Sequence, residues 1–114
     1  MSAQDQVNLQ MFVLDVMQDD IEDLSSIMLH LGQWRRDWPR DFTEPEIIVA
    51  LRTLLEKGWI STLELGVNRD GRQVLFEVEV ARTSEEAIRS YSFLPTQSGQ
   101  DTWQAWEPPL PTDA

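Results

Sequence analysis

Hydrophobic residues recur every three to four positions in three stretches of the first half of the chain, and this spacing predicts three amphipathic helices. The first covers residues 9–18 and follows Asn8, whose side chain can cap a helix N-terminus. A helix that is apolar on nearly every side lies at the centre of a fold or at an interface. The apolar positions of this helix are Leu9, Met11, Phe12, Val13, Leu14, Val16 and Met17.

A second helix is predicted near Asp20 and Asp23, because carboxylates at a helix N-terminus accept its unpaired N–H groups and complement its dipole. Gly32 is expected to end this helix, since glycine readily takes the left-handed conformation that closes helices. Its inward positions are Ile21, Leu24, Met28 and Leu31. The alternative is one long bent helix over residues 9–31.

A third helix is predicted to start at the capping-box pattern of Thr43 and Glu46, with Pro45 in the first turn. It is expected to reach Lys57 and to close at Gly58. The predicted buried side consists of Ile47, Ile48, Leu51, Leu54 and Leu55. The predicted exposed side consists of Glu46, Val49, Ala50, Thr53 and Lys57.

Alternating positions over residues 59–67 and 73–80 predict two strands, and Asp70 followed by Gly71 predicts a hairpin turn between them. In the second strand, Phe76 and Leu75 are expected on opposite faces.

Beyond the hairpin, Ser84 can begin a short helix, and residues 91–94 are expected to be extended. Thr96 or Ser98 can cap a last helix that reaches Trp106. Residues 1–6 are expected to be frayed and the Pro-rich residues 107–114 to form a disordered tail. The chain is therefore predicted to be a single α+β domain over residues 7–106.

The charge of the chain is strongly acidic and unevenly distributed. Twenty Asp and Glu against nine Lys and Arg give a net charge of −11, which repels polyanions at long range. Eight of the nine bases lie between Arg35 and Arg82. The simpler explanation of the acidic residues is that they form a solvated surface. The sequence has no cysteine, no signal-peptide pattern and no run of about 20 apolar residues, so a cytoplasmic protein without a membrane span is expected.

Residue patterns for catalysis or metal binding are missing from the sequence. There is no Gly-rich phosphate loop, and His30, the single histidine, has no ligand-like neighbour at a useful spacing. Adjacent acids, such as Asp19 with Asp20, point in different directions and suit helix capping better than acid–base chemistry. We therefore expect a protein that is not an enzyme and holds no cofactor or metal.

Two motifs resemble the winged-helix transcriptional regulators of the PadR and MarR type. The first is Leu-x-x-Leu-x-x-x-Gly-x-Ile over residues 51–60, which in those proteins precedes the wing hairpin. The second is the step from Tyr91 to Gly99, which follows the wing and has one extra residue and an interposed Pro95 here. The resemblance covers residues 9–106 and implies a three-helix core, a β-hairpin wing and an additional C-terminal helix.

The resemblance also implies that DNA would be contacted by the exposed side of the third helix and by the wing. The arginines of the loop before the third helix could add phosphate contacts. That side of the helix lacks the Arg, Asn and Gln that read base edges, and Glu44 and Glu46 place negative charge where a phosphate would dock. Ion pairs with nearby acids are the simpler role for the arginines. The residues named for contact are Val49, Thr53 and Lys57 on the helix, Arg69 and Arg72 in the wing, and Arg35, Arg36, Trp38 and Arg40 in the loop.

Two functions remain open from the sequence. One is a DNA-binding module similar to transcriptional regulators. The other is an acidic protein-interaction module, with a DNA mimic as its extreme form, in which Trp38 and its arginines grip a partner unless that tryptophan only fills the core. A homodimer is also predicted, and a monomer whose core the tryptophans complete is the alternative. The residues named for the dimer are Met11, Phe12, Trp103 and Trp106.

Overall fold

The computed structural model describes residues 3–18, 21–34, 42–78 and 88–106. The predicted tail, the Arg35–Arg40 loop and Ser84 lie outside these residues. The described part is an α+β fold with four helices and one antiparallel sheet, which confirms the predicted class. The helices are α1 (Ala3–Val16), α2 (Leu24–Trp34), α3 (Glu44–Glu56) and α4 (Gln97–Ala105). The strands are β1 (Glu22–Asp23), β2 (Ile60–Val67), β3 (Gln73–Val78) and β4 (Ser92–Pro95).

Helix α1 is the centre of the fold and packs against the other three helices. Its apolar residues, including Phe12 and Leu14, are buried on nearly every side, as the sequence predicts. The predicted start at Asn8 is wrong, because α1 begins at Ala3. Asn8 lies within the helix, and its side chain accepts a hydrogen bond from Nε2 of Gln4 at 3.1 Å. An intrahelical partner thus replaces the expected capping bond.

The alternative of one long bent helix over residues 9–31 is excluded by β1, which pairs with β4. Oδ1 of Asp23 accepts a hydrogen bond from the backbone N–H of Ser26 at 2.8 Å and so satisfies a free donor at the start of α2. Helix α2 therefore begins at Leu24, later than predicted. It also continues past Gly32 to Trp34, since one glycine inside a helix costs only about 1 kcal/mol relative to alanine.

Helix α3 forms as the capping box predicts. The side chain of Thr43 accepts from the N–H of Glu46, and Oε1 of Glu46 accepts from the N–H of Thr43 at 2.9 Å. Gly58 closes the helix with a φ of 71°. The five residues of the predicted inward side are all buried. Ala50, which was predicted on the exposed side, is a correction, because it is only 4% exposed and belongs to the buried core.

Strands β2 and β3 form the predicted hairpin, in register from Thr62 opposite Val78 to Val67 opposite Gln73. The backbone N–H of Asn68 donates to the carbonyl of Arg72 at 2.9 Å, and the N–H of Gly71 donates to the carbonyl of Asn68 at 3.0 Å. Gly71 has a φ of 78°, which glycine adopts without steric cost. The turn is a three-residue loop that ends in a left-handed glycine.

The strand order is β1-β4-β2-β3. The segment that the sequence predicts to be extended after Tyr91 forms β4, which pairs with both β1 and β2. On one face of the sheet Ile60, Thr62 and Phe93 are buried against the helical core, and Val67 and Leu94 are exposed on the other face. Strand β3 is the last strand of this order.

The two sequence motifs meet where α3 ends and α4 begins. The backbone N–H of Thr96 donates to the carbonyl of Trp59 at 2.9 Å, and Oγ1 of Thr96 donates to the carbonyl of Gly58 at 2.7 Å. The same hydroxyl accepts from the N–H of Gly99 at 3.1 Å and so caps α4. Gly99 lies so close to Trp59 that a Cβ there would overlap the Trp59 carbonyl.

We expect Leu51→Ala to lower the free energy of unfolding by about 2–5 kcal/mol, because Leu51 is fully buried and its truncation leaves a cavity. Urea denaturation followed by circular dichroism measures this change. Val49→Ala, on the exposed side of the same helix, is the control and should change stability by less than about 0.5 kcal/mol. Equal effects of the two substitutions would contradict the orientation of α3.

We expect Gly99→Ala to destabilise the chain by about 1–3 kcal/mol, because the added methyl group must displace the backbone at Trp59. Helix propensity alone would favour alanine by about 1 kcal/mol, so the expected sign is opposite to that of an ordinary helical glycine. Thermal unfolding measures the difference, with Ser98→Ala on the exposed side of α4 as the control. A gain in stability from Gly99→Ala would show that α4 does not pack on Trp59.

Candidate functional site

The outward side of α3 carries the three helix residues that the sequence singles out for contact. Val49 is 60% exposed, and Oγ1 of Thr53 donates to the carbonyl of Val49 at 3.0 Å, within the helix itself. Nζ of Lys57 donates to Oε1 of Gln10 on α1 at 3.3 Å and lies 4.5 Å from the ring centre of Trp59. The one cation on this side is therefore engaged within the chain.

Helix α1 lies beside this side of α3, and the two helices form a groove of 270 Å³, which we call the α1–α3 groove. Leu9 and Ala50 are its buried apolar residues, and Glu46 is the single ionisable residue among those that line it. An apolar side chain fits the apolar part of this lining, whereas a phosphate is bound by Lys or Arg, and neither residue lines the groove. The lining residues are Gln6, Leu9, Gln10, Pro45, Glu46, Val49, Ala50 and Thr53.

Carboxylates occupy the N-terminus of α3. Glu44 forms an ion pair with Arg89, which also places the segment before β4 against this end of the helix. Glu46 is held in the capping box with Thr43. A helix N-terminus attracts anions through its free N–H groups and its dipole, and two carboxylates already satisfy that attraction here.

The hairpin tip, residues 68–72, carries Arg69 and Arg72, and both are exposed. Oδ1 of Asn68 accepts from the N–H groups of Asp70 and Arg72, so the side chain of Asn68 orders the loop. Strand β2 has 8 residues and extends about 26 Å at a rise of about 3.3 Å per residue. The tip arginines therefore follow the far end of a strand whose near end, Ile60, comes directly after α3. Of the predicted contact residues, Arg35, Arg36, Trp38 and Arg40 lie outside the described part.

The sheet has an apolar outer face, on the side away from the helices, which the sequence analysis missed. Leu65 is paired with Leu75, and directly paired residues point to the same side of a sheet. Leu65 is 61% exposed. The apolar side chains on this face are Leu63, Leu65, Val67, Leu75 and Leu94. Leu63, Leu65 and Val67 recur every second residue, so this stripe was a detectable signal.

On the inner face, the end of the hairpin also carries exposed apolar surface. Phe76 is half exposed and covers Gly66, where a Cβ would lie 2.6 Å from Cε2 of the Phe76 ring. Phe76 and Leu75 face opposite sides as predicted, but neither is buried, because this part of the hairpin extends beyond the helices that cover Ile60 and Thr62. The hairpin is thus apolar on both faces.

The four side chains named for a homodimer make contacts within one chain. Met11 and Phe12 are buried in the core. The ring of Trp106 packs edge-on against Phe12 at 5.5 Å, and Nε1 of Trp103 donates to Oδ1 of Asp15 at 3.0 Å. The tryptophans therefore dock α4 onto α1, and a dimer through these residues would compete with the core. Dimerisation itself stays a prediction.

Groups for metal binding are sparse in the part of the chain that the structure describes. No cluster of three or more His, Asp or Glu occurs among those residues, and Nε2 of His30 lies 3.6 Å from Oε1 of Glu22. None of the described helices combines the length and the apolar character that crossing a membrane requires.

Comparison of the chain with protein-family models, curated proteins and solved structures finds no match.

Proposed function

We propose that this chain is a non-catalytic binding module of the winged-helix type and that its ligand is a protein. The order α1, β1, α2, α3 and hairpin supports the winged-helix arrangement, with α3 in the place of the recognition helix and β2–β3 as the wing. Strand β4, inserted between β1 and β2, is an addition to that plan. The resemblance to PadR- and MarR-type regulators rests on the two sequence motifs and on this arrangement of elements.

The main support for this proposal is the α1–α3 groove. In DNA-binding winged-helix proteins the outward side of the recognition helix enters the major groove, and here that side is the wall of an apolar groove. Glu44 and Glu46 lie in the first turn of α3 and would repel the phosphates that flank the major groove of DNA. An aromatic anchor residue from a protein partner fits this lining, because aromatic side chains are enriched at interface hot spots and hot spots lie in well-packed, desolvated pockets.

The charge of the chain selects among protein partners. A net charge of −11 attracts basic surfaces and slows encounters with acidic ones. The partner is therefore a basic protein segment that places an apolar side chain in the groove. The loop residues Arg35, Arg36, Trp38 and Arg40 are retained as further predicted contacts.

A second candidate is DNA contact through the hairpin tip. Arg69 and Arg72 are exposed there, and neither takes part in the ion pairs found among the described residues. Two phosphate contacts from the tip are sequence-independent and sensitive to salt. They supply non-specific attraction, which the charge of the rest of the chain opposes.

The groove is tested by affinity capture from the native lysate with three baits: the wild-type chain, Val49→Glu and Leu29→Glu. Val49 and Leu29 are 60% and 67% exposed, so the two variants add the same charge at equally exposed positions. We expect a basic protein to be captured by the wild-type chain and by Leu29→Glu but lost with Val49→Glu. If all three baits captured the same protein, the groove would not be the binding site.

DNA binding is tested by fluorescence anisotropy with duplex DNA at about 50 mM salt, a permissive condition for phosphate contacts. We expect no binding. If the chain does bind, and if replacing Arg69 and Arg72 with alanine reduces the slope of log affinity against log salt by about 1.8, the tip contacts DNA. That result would favour the second candidate over the protein partner.

A further inference from the structure

Strand β3 has a free edge among the strands that the structure describes, because β2 is its one neighbour in the sheet. Edge strands are commonly protected by proline, lysine, a bulge or a covering segment. Residues 73–78 contain no proline or lysine, and their pairing with β2 is in continuous register. Such an edge presents its backbone N–H and C=O groups to another strand.

The groups that face this edge follow from the hairpin register. Hydrogen-bonded and non-hydrogen-bonded pairs alternate along an antiparallel ladder. Counting from the bond between Asn68 and Arg72, the pairs that bond across the hairpin include Gly66 with Val74 and Glu64 with Phe76. The backbone N–H and C=O groups of Gln73, Leu75 and Glu77 are therefore directed away from β2, toward the free edge.

We propose that a second copy of this chain pairs with this edge, β3 against β3, antiparallel about a two-fold axis at Leu75. In this register Leu75 lies opposite the partner's Leu75, and Gln73 lies opposite the partner's Glu77, so no two like charges are opposed. Val74 lies opposite the partner's Phe76, which pairs a β-branched with an aromatic side chain on the inner face. The strand is thus complementary to itself, as an interface between identical subunits requires.

Charge permits this contact despite the acidity of the chain. Residues 60–78 carry Glu64, Asp70 and Glu77 against Arg69 and Arg72, so their net charge is −1 out of the −11 of the chain. Charges farther away than about 8 Å are largely screened at physiological salt. Two hairpins can therefore approach each other edge to edge without the repulsion that the rest of the surface would impose.

The same contact brings the exposed apolar faces of the two copies side by side. Across the two-fold axis, Leu65 and Leu75 of one copy continue into the same residues of the other on the outer face. The two sheets become one eight-stranded antiparallel sheet, in which apolar side chains shield the new backbone bonds. The C-terminal residues 107–114 are a poor alternative occupant of the edge, since Pro108, Pro109 and Pro111 have no N–H to donate.

Sedimentation velocity from about 1 µM to about 1 mM, the affinity range of small interfaces, tests the proposal. We expect the mass of the wild-type chain to rise toward that of two copies, and Leu75→Lys to remain monomeric because two ammonium groups would meet at the axis. Leu29→Lys, at a more exposed leucine on α2, should dimerise like the wild type. Circular dichroism confirms that each variant is folded.

A cross-linking experiment tests the register. The chain has no cysteine, so Leu75→Cys introduces a single thiol. Residues in a hydrogen-bonded antiparallel pair have Cα atoms about 5.5 Å apart, within the range that a disulfide spans. We expect mild oxidation to give a covalent dimer of Leu75→Cys, and much less of Leu29→Cys, although residue 29 is the more exposed and would react faster in random collisions.

Three results would overturn the proposal. One is a wild-type chain that stays monomeric up to the highest concentration. Another is a dimer that Leu75→Lys leaves intact. The third is equal cross-linking of the two cysteine variants. None of these measurements involves the α1–α3 groove, so the dimer and the proposed function succeed or fail separately.

Discussion

The fold depends on the contact between Gly58, Trp59, Thr96 and Gly99. At this point α3 ends, β2 starts, β4 ends and α4 starts, and three hydrogen bonds to or from Thr96 join them. Gly58 turns the chain out of α3, and Gly99 lets the first turn of α4 lie directly on the backbone of Trp59. The contact sets the direction in which the hairpin leaves the helices, and it holds β4 beside β2. The position of the free β3 edge follows from it.

Local signals in the sequence were sufficient to predict α3 and the hairpin. The bonds between Thr43 and Glu46, the left-handed Gly58 and the Gly71 turn involve neighbouring residues, so their geometry is encoded where they occur. The start of α1, strand β1 and the burial of Ala50 were not predicted correctly. Each of these depends on a distant segment: α1 is stabilised by the core around it, β1 exists through pairing with β4, and Ala50 belongs to a core that several elements build.

In the candidate site, too, some features could be predicted from local sequence and others depend on a distant segment. Helical spacing alone places Val49 and Thr53 on one side of α3, and the structure agrees. That this side is a wall of a groove depends on α1 lying across it, and periodicity within α3 cannot reveal that. The outer face of the sheet was accessible in principle, because Leu63, Leu65 and Val67 alternate on β2. The competing Ile60 and Thr62 pattern in the same strand concealed it, since both faces of the hairpin carry apolar residues.

The distribution of charge connects the two proposed surfaces. Acids dominate outside the hairpin, where they favour a basic partner at the groove, and the nearly neutral hairpin is left free to pair with itself. A dimer joined at β3 carries two α1–α3 grooves, because the groove lies on α1 and α3 and takes no part in the edge contact. A partner with two basic segments then engages the second groove as an intramolecular step, and its overall affinity exceeds that of a single groove without any new contact. Self-pairing of the nearly neutral hairpin would in this way increase the binding strength of an acidic module whose individual groove is small.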